Sequence, residues 1–257
     1  MRLRPAFIRR EVMAAFYRRP TPLGNCGPIV SFTFDDFPRT AYTAGGAILE
    51  SVRARGTYYT AVGLMNSSNE LGEQFRPDDL RGLVEKGHEV ASHTFNHLSC
   101  NAVSSSLFQA DVNKGRDALA EITGVQPENF AYPFGDLTLE AKKKVGPTLL
   151  SSRGIFPGLN GPEIDLNLLK ANSLYGGREN SPRAEELIAE NVRRKSWLIF
   201  YTHDVQPQPS PYGCTPELLQ SAVSLAAQSG SRILTVQDAL AEVGITEKSQ
   251  VVGANAQ

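Results

Sequence analysis

The feature that most constrains this chain is an apolar segment, Ile29 to Phe34, that runs directly into two adjacent aspartates, Asp35 and Asp36. Its β-branched and aromatic residues predict a buried strand. Because Pro38 prevents the strand from continuing, both acids fall in a turn at its carboxyl end. Taken alone, the pair is most simply interpreted as solvated turn residues, since Asp is a common turn former.

Further strand patterns alternate with helical patterns along the chain. Strands are predicted at 57–62, 88–92, 130–135, 196–202 and 232–235, with two weaker ones near 148–150 and 168–171. Helices are predicted over 40–55, 77–86, 107–122, 181–194, 216–229 and 236–242, the first of them ended by Gly56. Repeated strand–helix units predict a mostly parallel sheet, and seven or eight strands favour an α/β barrel over an open sheet.

Length and composition indicate one principal domain. An α/β barrel takes roughly 250 residues, and the chain has 257. We expect an N-terminal basic extension over 1–27, a catalytic barrel over 28–243 and a C-terminal tail over 244–257. The net charge of -1 gives no electrostatic case for nucleic acid as a partner. The oligomeric state cannot be deduced from these properties.

The N-terminal extension is rich in arginine. It contains Arg2, Arg4, Arg9, Arg10, Arg18 and Arg19 but no continuous apolar run, so neither a cleaved secretory signal nor a membrane span is expected. Its apolar residues are Leu3, Phe7, Ile8, Met13, Phe16 and Tyr17. They fit a basic amphipathic helix that touches a membrane surface peripherally, and equally a helix packed on the domain. The three cysteines lack metal or disulfide spacing and favour a reducing compartment, so we expect a cytoplasmic location, with the inner membrane surface as an alternative.

Polar residues follow three of the predicted strands. Asp35 and Asp36 end the first, His93 and His97 follow the third, and His203 follows the strand at 196–202. The carboxyl ends of parallel barrel strands meet at one face, where active sites lie. Two imidazoles four residues apart suit one metal ion, and an added aspartate completes a three-ligand set that leaves room for water.

The two aspartates are suited to separate tasks in a hydrolytic metal centre. One carboxylate holds the ion, and the other takes a proton from the attacking water. His203 has a suitable intrinsic pKa to protonate a leaving amine. A backbone N–H near the turn at 133–135 is placed to hold an oxyanion.

Four segments resemble the motifs of the polysaccharide deacetylase family, which includes the nodulation-factor chitooligosaccharide deacetylases. They are Thr33-Phe34-Asp35-Asp36, His93-Thr94-Phe95-Asn96-His97, Phe130-Ala131-Tyr132-Pro133-Phe134-Gly135 and Tyr201-Thr202-His203-Asp204. The resemblance implies a distorted (β/α) barrel of about seven strands and a divalent metal, with zinc favoured over cobalt or nickel. It also implies that Asp35 is the general base and His203 the general acid. Asp36, His93 and His97 would be the metal ligands, and the Phe134 backbone amide would hold the oxyanion.

The chain departs from the family pattern in three places. Phe37 replaces a common glycine, which is expected to narrow the rim of the site. Ala131 occupies the position of an arginine that orients the catalytic aspartate, so Asp35 is expected to lack part of that support. The family's Asp-and-Trp motif is not evident in 145–176.

The resemblance implies hydrolysis of acetyl groups on sugars. We therefore expect a carbohydrate substrate, an N-acetylated amino sugar in an oligosaccharide, polysaccharide or glycolipid, with Tyr132 and Phe134 available to stack on it. The alternatives are a hydrolase of a small cyclic amide or ureide in the same superfamily, and a non-catalytic sugar-binding module. N-acetyl and O-acetyl substrates cannot be separated at this level.

Overall fold

The computed structural model describes residues 12–246. Its strands are β1 (Pro20–Pro22), β2 (Ile29–Asp35), β3 (Thr57–Thr60), β4 (Ser68–Asn69), β5 (Gly72–Glu73), β6 (Glu89–Ser92), β7 (Asn129–Ala131), β8 (Ser151–Arg153), β9 (Glu163–Asp165), β10 (Asn172–Ser173), β11 (Trp197–Thr202) and β12 (Arg232–Ile233). The helices are α1 (Ala47–Ser51), α2 (Pro77–Glu85), α3 (Ser105–Thr123), α4 (Leu139–Val145), α5 (Ser181–Arg194), α6 (Pro216–Gln228) and α7 (Val236–Glu242).

The main sheet is parallel and curls into part of a barrel. Its strand order is β10-β11-β2-β3-β6-β7-β8, and β12 also pairs with β2. Strand β2 is central and all seven of its residues are buried. It runs beside β11 from Ile29 opposite Trp197 to Phe34 opposite Thr202, so the carboxyl ends of the two strands lie together. The predicted distorted (β/α) barrel of about seven strands is confirmed.

The first predicted helix is shorter and less regular than its sequence pattern indicates. Residues Ala41–Gly46 form a π-helical turn, and Ala47–Ser51 form the α-helical turn that follows it. Gly56 does not form the C-terminal cap of this helix. Arg53 takes the left-handed conformation, with φ of 60°. Gly56 instead lies in a tightly packed position, where a Cβ would be 2.8 Å from Leu49 Cδ1 and 3.1 Å from the Phe32 carbonyl oxygen.

The segment between α4 and α5 differs from the prediction. The weak strands expected near 148–150 and 168–171 are absent, and β8, β9 and β10 form at 151–153, 163–165 and 172–173. The apolar residues Leu150 and Leu169 are buried in the core beside these strands. Their hydrophobicity therefore reports burial rather than strand structure.

Residues 12–22 of the N-terminal extension pack on the barrel. Residues 12–15 are helical, and β1 pairs antiparallel with β9. Buried Lys142 donates hydrogen bonds to the carbonyls of Ala14 (3.1 Å) and Phe16 (2.6 Å). Arg2, Arg4, Arg9, Arg10, Leu3, Phe7 and Ile8 lie outside the described residues, so the peripheral membrane contact stays a prediction. Within 12–246, no helix has the length and apolar character that crossing a membrane requires.

Arg19 is the main polar attachment of this segment. Its guanidinium donates to Asn167 Oδ1 (2.7 Å) and to the carbonyls of Leu149 (2.9 Å) and Leu150 (2.8 Å). We expect Arg19→Met to lower the free energy of unfolding by about 2–4 kcal/mol, because buried acceptors lose their donor. The measurement is urea unfolding. Arg18→Met is the control and should cost less than about 1 kcal/mol, since Arg18 pairs with Glu163 at the surface. Equal losses would contradict this role of Arg19.

Candidate metal centre and active site

Three potential ligand side chains converge at the carboxyl ends of β2 and β6. The Nε2 atom of His97 lies 3.1 Å from Oδ1 of Asp36, and Nε2 of His93 lies 3.6 Å from the same oxygen. One ligand atom from each residue falls within 4.8 Å of the others. Asp36 and His97 have positive φ angles, 62° and 53°, so the chain turns sharply as it leaves each strand. The structure thus brings together the three residues predicted as ligands.

His93 is held in the form that binds metal. Its Nδ1 lies 2.8 Å from the carbonyl oxygen of Ala131, which can only accept, so Nδ1 carries the hydrogen and Nε2 keeps its lone pair. Burial, reinforced by the charge of His97, lowers the pKa of His93 to about 3. The imidazole is therefore neutral at ordinary pH.

Asp36 presents a buried oxygen that needs a positive partner. Its Oδ1 has no hydrogen-bond donor within residues 12–246. Burial is the main reason that the pKa of Asp36 rises to about 6 in the absence of a cation. An unpaired buried carboxylate oxygen facing two imidazole nitrogens fits a divalent metal, which would supply the missing positive charge. The donor atoms of Asp36, His93 and His97 therefore suit a divalent metal ion.

Asp35 is buried but paired with an arginine from another strand. Nη2 of Arg153, the last residue of β8, donates to Oδ1 of Asp35. Burial opposes ionisation, yet Arg153, His93 and His203 together bring the pKa of Asp35 below its ordinary value. The expectation that Ala131 leaves Asp35 without arginine support is therefore wrong. Ala131 and Arg153 are register partners on β7 and β8, so the guanidinium comes from the adjacent strand.

Arg153 is fixed on several sides. Its Nη1 donates to the Gly154 carbonyl at 2.9 Å. Its guanidinium carbon lies 4.7 Å from the ring centroid of Tyr59 and 5.2 Å from that of Tyr201. These contacts hold the cation between two aromatic rings while one end reaches Asp35.

His203 faces the cluster from the end of β11. Its Nε2 is 4.0 Å from Asp36 Oδ2, and its Nδ1 is 3.1 Å from the carbonyl oxygen of Tyr212. The carbonyl can only accept, so Nδ1 bears the hydrogen and Nε2 is the ring nitrogen that faces Asp36.

The loop that carries Tyr212 is organised by Asp204. This buried carboxylate accepts from the Ser210 amide at 2.9 Å and from Gln206 Nε2 at 2.8 Å. Gly213 approaches so closely that a Cβ there would lie 2.2 Å from Asp204 Oδ1. Asp204 therefore supports the conformation that places the Tyr212 carbonyl on His203.

The two aromatic residues predicted to bind substrate have different environments. The side chain of Phe134 is 61% exposed, and its ring centroid lies 4.4 Å from that of His97. Tyr132 borders the cavity but is only 2% exposed and packs on Phe108 and Phe130. Phe134 is thus available to a ligand, whereas Tyr132 is mainly a core residue. Substrate contact by either ring, and the oxyanion role of the Phe134 amide, stay predictions.

The residues predicted from the sequence for the site border one cavity of about 440 Å³; they are Asp35, Asp36, His93, His97, Tyr132, Phe134 and His203. Its remaining lining residues are Leu64, Asn69, Glu70, Leu71, Gly135, Ile155, Tyr175, Tyr201 and Tyr212. Tyr175, Tyr212, Glu70 and Arg153 were not recognised from the sequence. None of the four carried a local signal, because the strand that ends at Arg153 lies at 151–153 and not at the predicted 148–150.

Comparison with known proteins agrees with this geometry. Residues 24–147 match the family model described as polysaccharide deacetylase. The chain is 27% identical over 236 residues to a chitin deacetylase of Colletotrichum lindemuthianum, covering 86% of this chain and 84% of the relative. It is 25% identical over 117 residues to a peptidoglycan-N-acetylmuramic acid deacetylase of Bacillus subtilis, covering 46% of this chain but only 24% of that protein.

Solved structures share the fold. The structure of the chitin deacetylase from Colletotrichum lindemuthianum superposes with a TM-score of 0.61 at 22% identity, covering 86% of this chain and 90% of that one. A family 4 acetyl xylan esterase from Clostridium thermocellum, solved with a cobalt ion, gives 0.59 at 20% identity, with coverage of 85% and 93%. The family-model match and the sequence relatives identify residues 24–147 as a polysaccharide deacetylase domain, and the solved structures show that the fold is shared.

Proposed function

We propose that this protein is a metal-dependent hydrolase that removes the acetyl group from an N-acetylated amino sugar in an oligosaccharide, polysaccharide or glycolipid. The observation that carries the proposal is the Asp36, His93 and His97 cluster, with a separate ionised carboxylate, Asp35, beside it. A ligand set and an independent base are the two things that hydrolysis at a metal centre requires.

Asp36, His93 and His97 would hold the metal. Two imidazole nitrogens and a carboxylate oxygen suit zinc, with cobalt and nickel as alternatives. When bound, such an ion supplies Lewis acidity that lowers the pKa of water and polarises a carbonyl. The family's use of a divalent metal and the acetylated glycans named for the relatives support this assignment.

The protein's own groups divide the proton transfers. Asp35, kept ionised by Arg153, accepts a proton from the attacking water as that water adds to the acetyl carbon. His203, oriented by the Tyr212 carbonyl, donates a proton from Nε2 to the leaving amine when the C–N bond breaks. The products are acetate and a free amino sugar. The Phe134 amide is proposed to hold the developing oxyanion.

The experiment is acetate release by the purified protein from N-acetylglucosamine oligomers, run beside a small cyclic amide. Acetate from the oligomers supports the proposed deacetylase. Turnover of the cyclic amide without acetate release would favour the alternative hydrolase. Binding of the oligomers without turnover of either substrate would favour a sugar-binding module.

A cytoplasmic location, with peripheral membrane contact through the basic N-terminal segment, belongs to the same proposal.

A further inference from the structure

The cavity that contains the metal centre is lined by carboxylates and by no lysine or arginine among the described residues. The three carboxylates are Asp35, Asp36 and Glu70. Asp35 is balanced by Arg153, and a metal ion would balance Asp36. Glu70 is therefore the negative charge on the cavity wall that the centre itself does not compensate.

Glu70 lies at the tip of the hairpin formed by β4 and β5. The tip is fixed by Oδ1 of Asn69, which accepts from the Leu71 amide at 2.9 Å and from Nε2 of buried Gln74 at 3.0 Å. Glu70 itself is exposed and has no ion-pair partner within residues 12–246. It therefore presents a free carboxylate from a loop whose backbone is held in place.

Another glutamate on the same hairpin shows the contrast. Glu73 ends β5 and forms ion pairs with Arg76 and, at 4.0 Å, with Arg39. It does not line the cavity. Both glutamates lie on this hairpin and carry the same negative charge. Of the two, only Glu70 lacks an ion-pair partner within residues 12–246 and lines the cavity.

Glu70 shares the wall of the cavity of about 440 Å³ with Asp36 and His97. A carboxylate on that wall lies within electrostatic range of a sugar unit bound next to the one that reacts.

We propose that Glu70 forms a rim subsite for a protonated sugar amine, so that the enzyme prefers chains in which a neighbouring unit has already lost its acetyl group. This inference rests on the proposed deacetylase function. A glucosamine unit carries an ammonium group that Glu70 attracts, whereas a glycan bearing carboxylates meets a like charge that no lysine or arginine among the described lining residues offsets. Partly deacetylated glucosamine chains are thus favoured over anionic glycans.

The test compares kcat/KM for acetate release from two N-acetylglucosamine tetramers, one fully acetylated and one partly deacetylated, at a pH where the free amines are protonated. The wild-type protein should favour the partly deacetylated tetramer, and added salt should reduce that preference. Glu70→Gln should lower the ratio of the two values by about two- to fivefold and remove its salt dependence. Glu73→Gln is the matched control and should leave the ratio unchanged.

The possible results separate this inference from the proposed function. Acetate release with a ratio that Glu70→Gln does not alter would overturn the Glu70 subsite and leave the deacetylase intact. Faster acetate release from a carboxylate-bearing acetylated glycan than from the neutral tetramer would also overturn the Glu70 subsite and leave the deacetylase intact. Failure to release acetate from any glycan, with metal bound, would overturn both.

Discussion

Replacing Arg153 with methionine is expected to lower kcat/KM for acetate release by about 10- to 100-fold while leaving metal content unchanged. Arg153 holds Asp35 but contacts none of the three proposed metal ligands. Without it, the buried carboxylate loses its cationic partner and its fixed orientation. The pKa of Asp35 should then rise, because the charge that favours its ionised form is gone. A general base must be ionised to act, so the acidic limb of the pH–rate profile should move to higher pH.

A double variant separates the loss of Asp35 orientation from a general loss of stability. Breaking a buried ion pair costs about 3–5 kcal/mol, so Arg153→Met should also unfold more easily. Because Ala131 is the register partner of Arg153, the double variant Ala131→Arg with Arg153→Ala restores a guanidinium on the adjacent strand. It should recover part of kcat/KM relative to Arg153→Ala alone. An unshifted acidic limb in Arg153→Met, at full metal content, would contradict the positioning role.

The largest loss of turnover is expected from Asp35→Asn, about 10²- to 10⁴-fold in kcat, with the metal retained. The amide cannot accept the proton, but Asp36, His93 and His97 still offer their ligand atoms. His93→Ala and His97→Ala should instead lose metal, because two donors hold a divalent ion much less tightly than three. Metal analysis and acetate release on the same samples distinguish the two classes of variant. Normal turnover by Asp35→Asn would show that Asp35 is not the base.

Much of the site could be predicted from local sequence. One buried strand pattern ends at Asp35-Asp36, and another is followed by His93. The two-residue period of a strand and a parallel topology are enough to predict where these residues lie. Those two rules place the acids and the histidines at one end of the barrel without any knowledge of side-chain packing. The same reasoning located His203 at the end of β11.

The supporting residues depend on register and loop shape, which local patterns do not encode. Arg153 and Asp35 lie on β8 and β2, which β3, β6 and β7 separate in the sheet, so their contact depends on the curl of the whole sheet. Tyr212 and Glu70 enter the site through a loop and a hairpin whose conformations depend on Asp204 and Asn69. The first helix forms but is shorter and less regular than predicted, because apolar spacing does not reveal a π-helical turn at Ala41–Gly46.

The most direct test of the metal-dependent mechanism is a metal titration followed by acetate release. The protein is stripped with a chelator, and zinc, cobalt or nickel is returned in steps while bound metal and acetate release from N-acetylglucosamine oligomers are measured together. We expect the stripped protein to be inactive and activity to rise in proportion to bound metal, reaching a plateau at about one ion per chain. Full acetate release by the stripped protein, or full metal binding by a variant lacking both His93 and His97, would contradict the account.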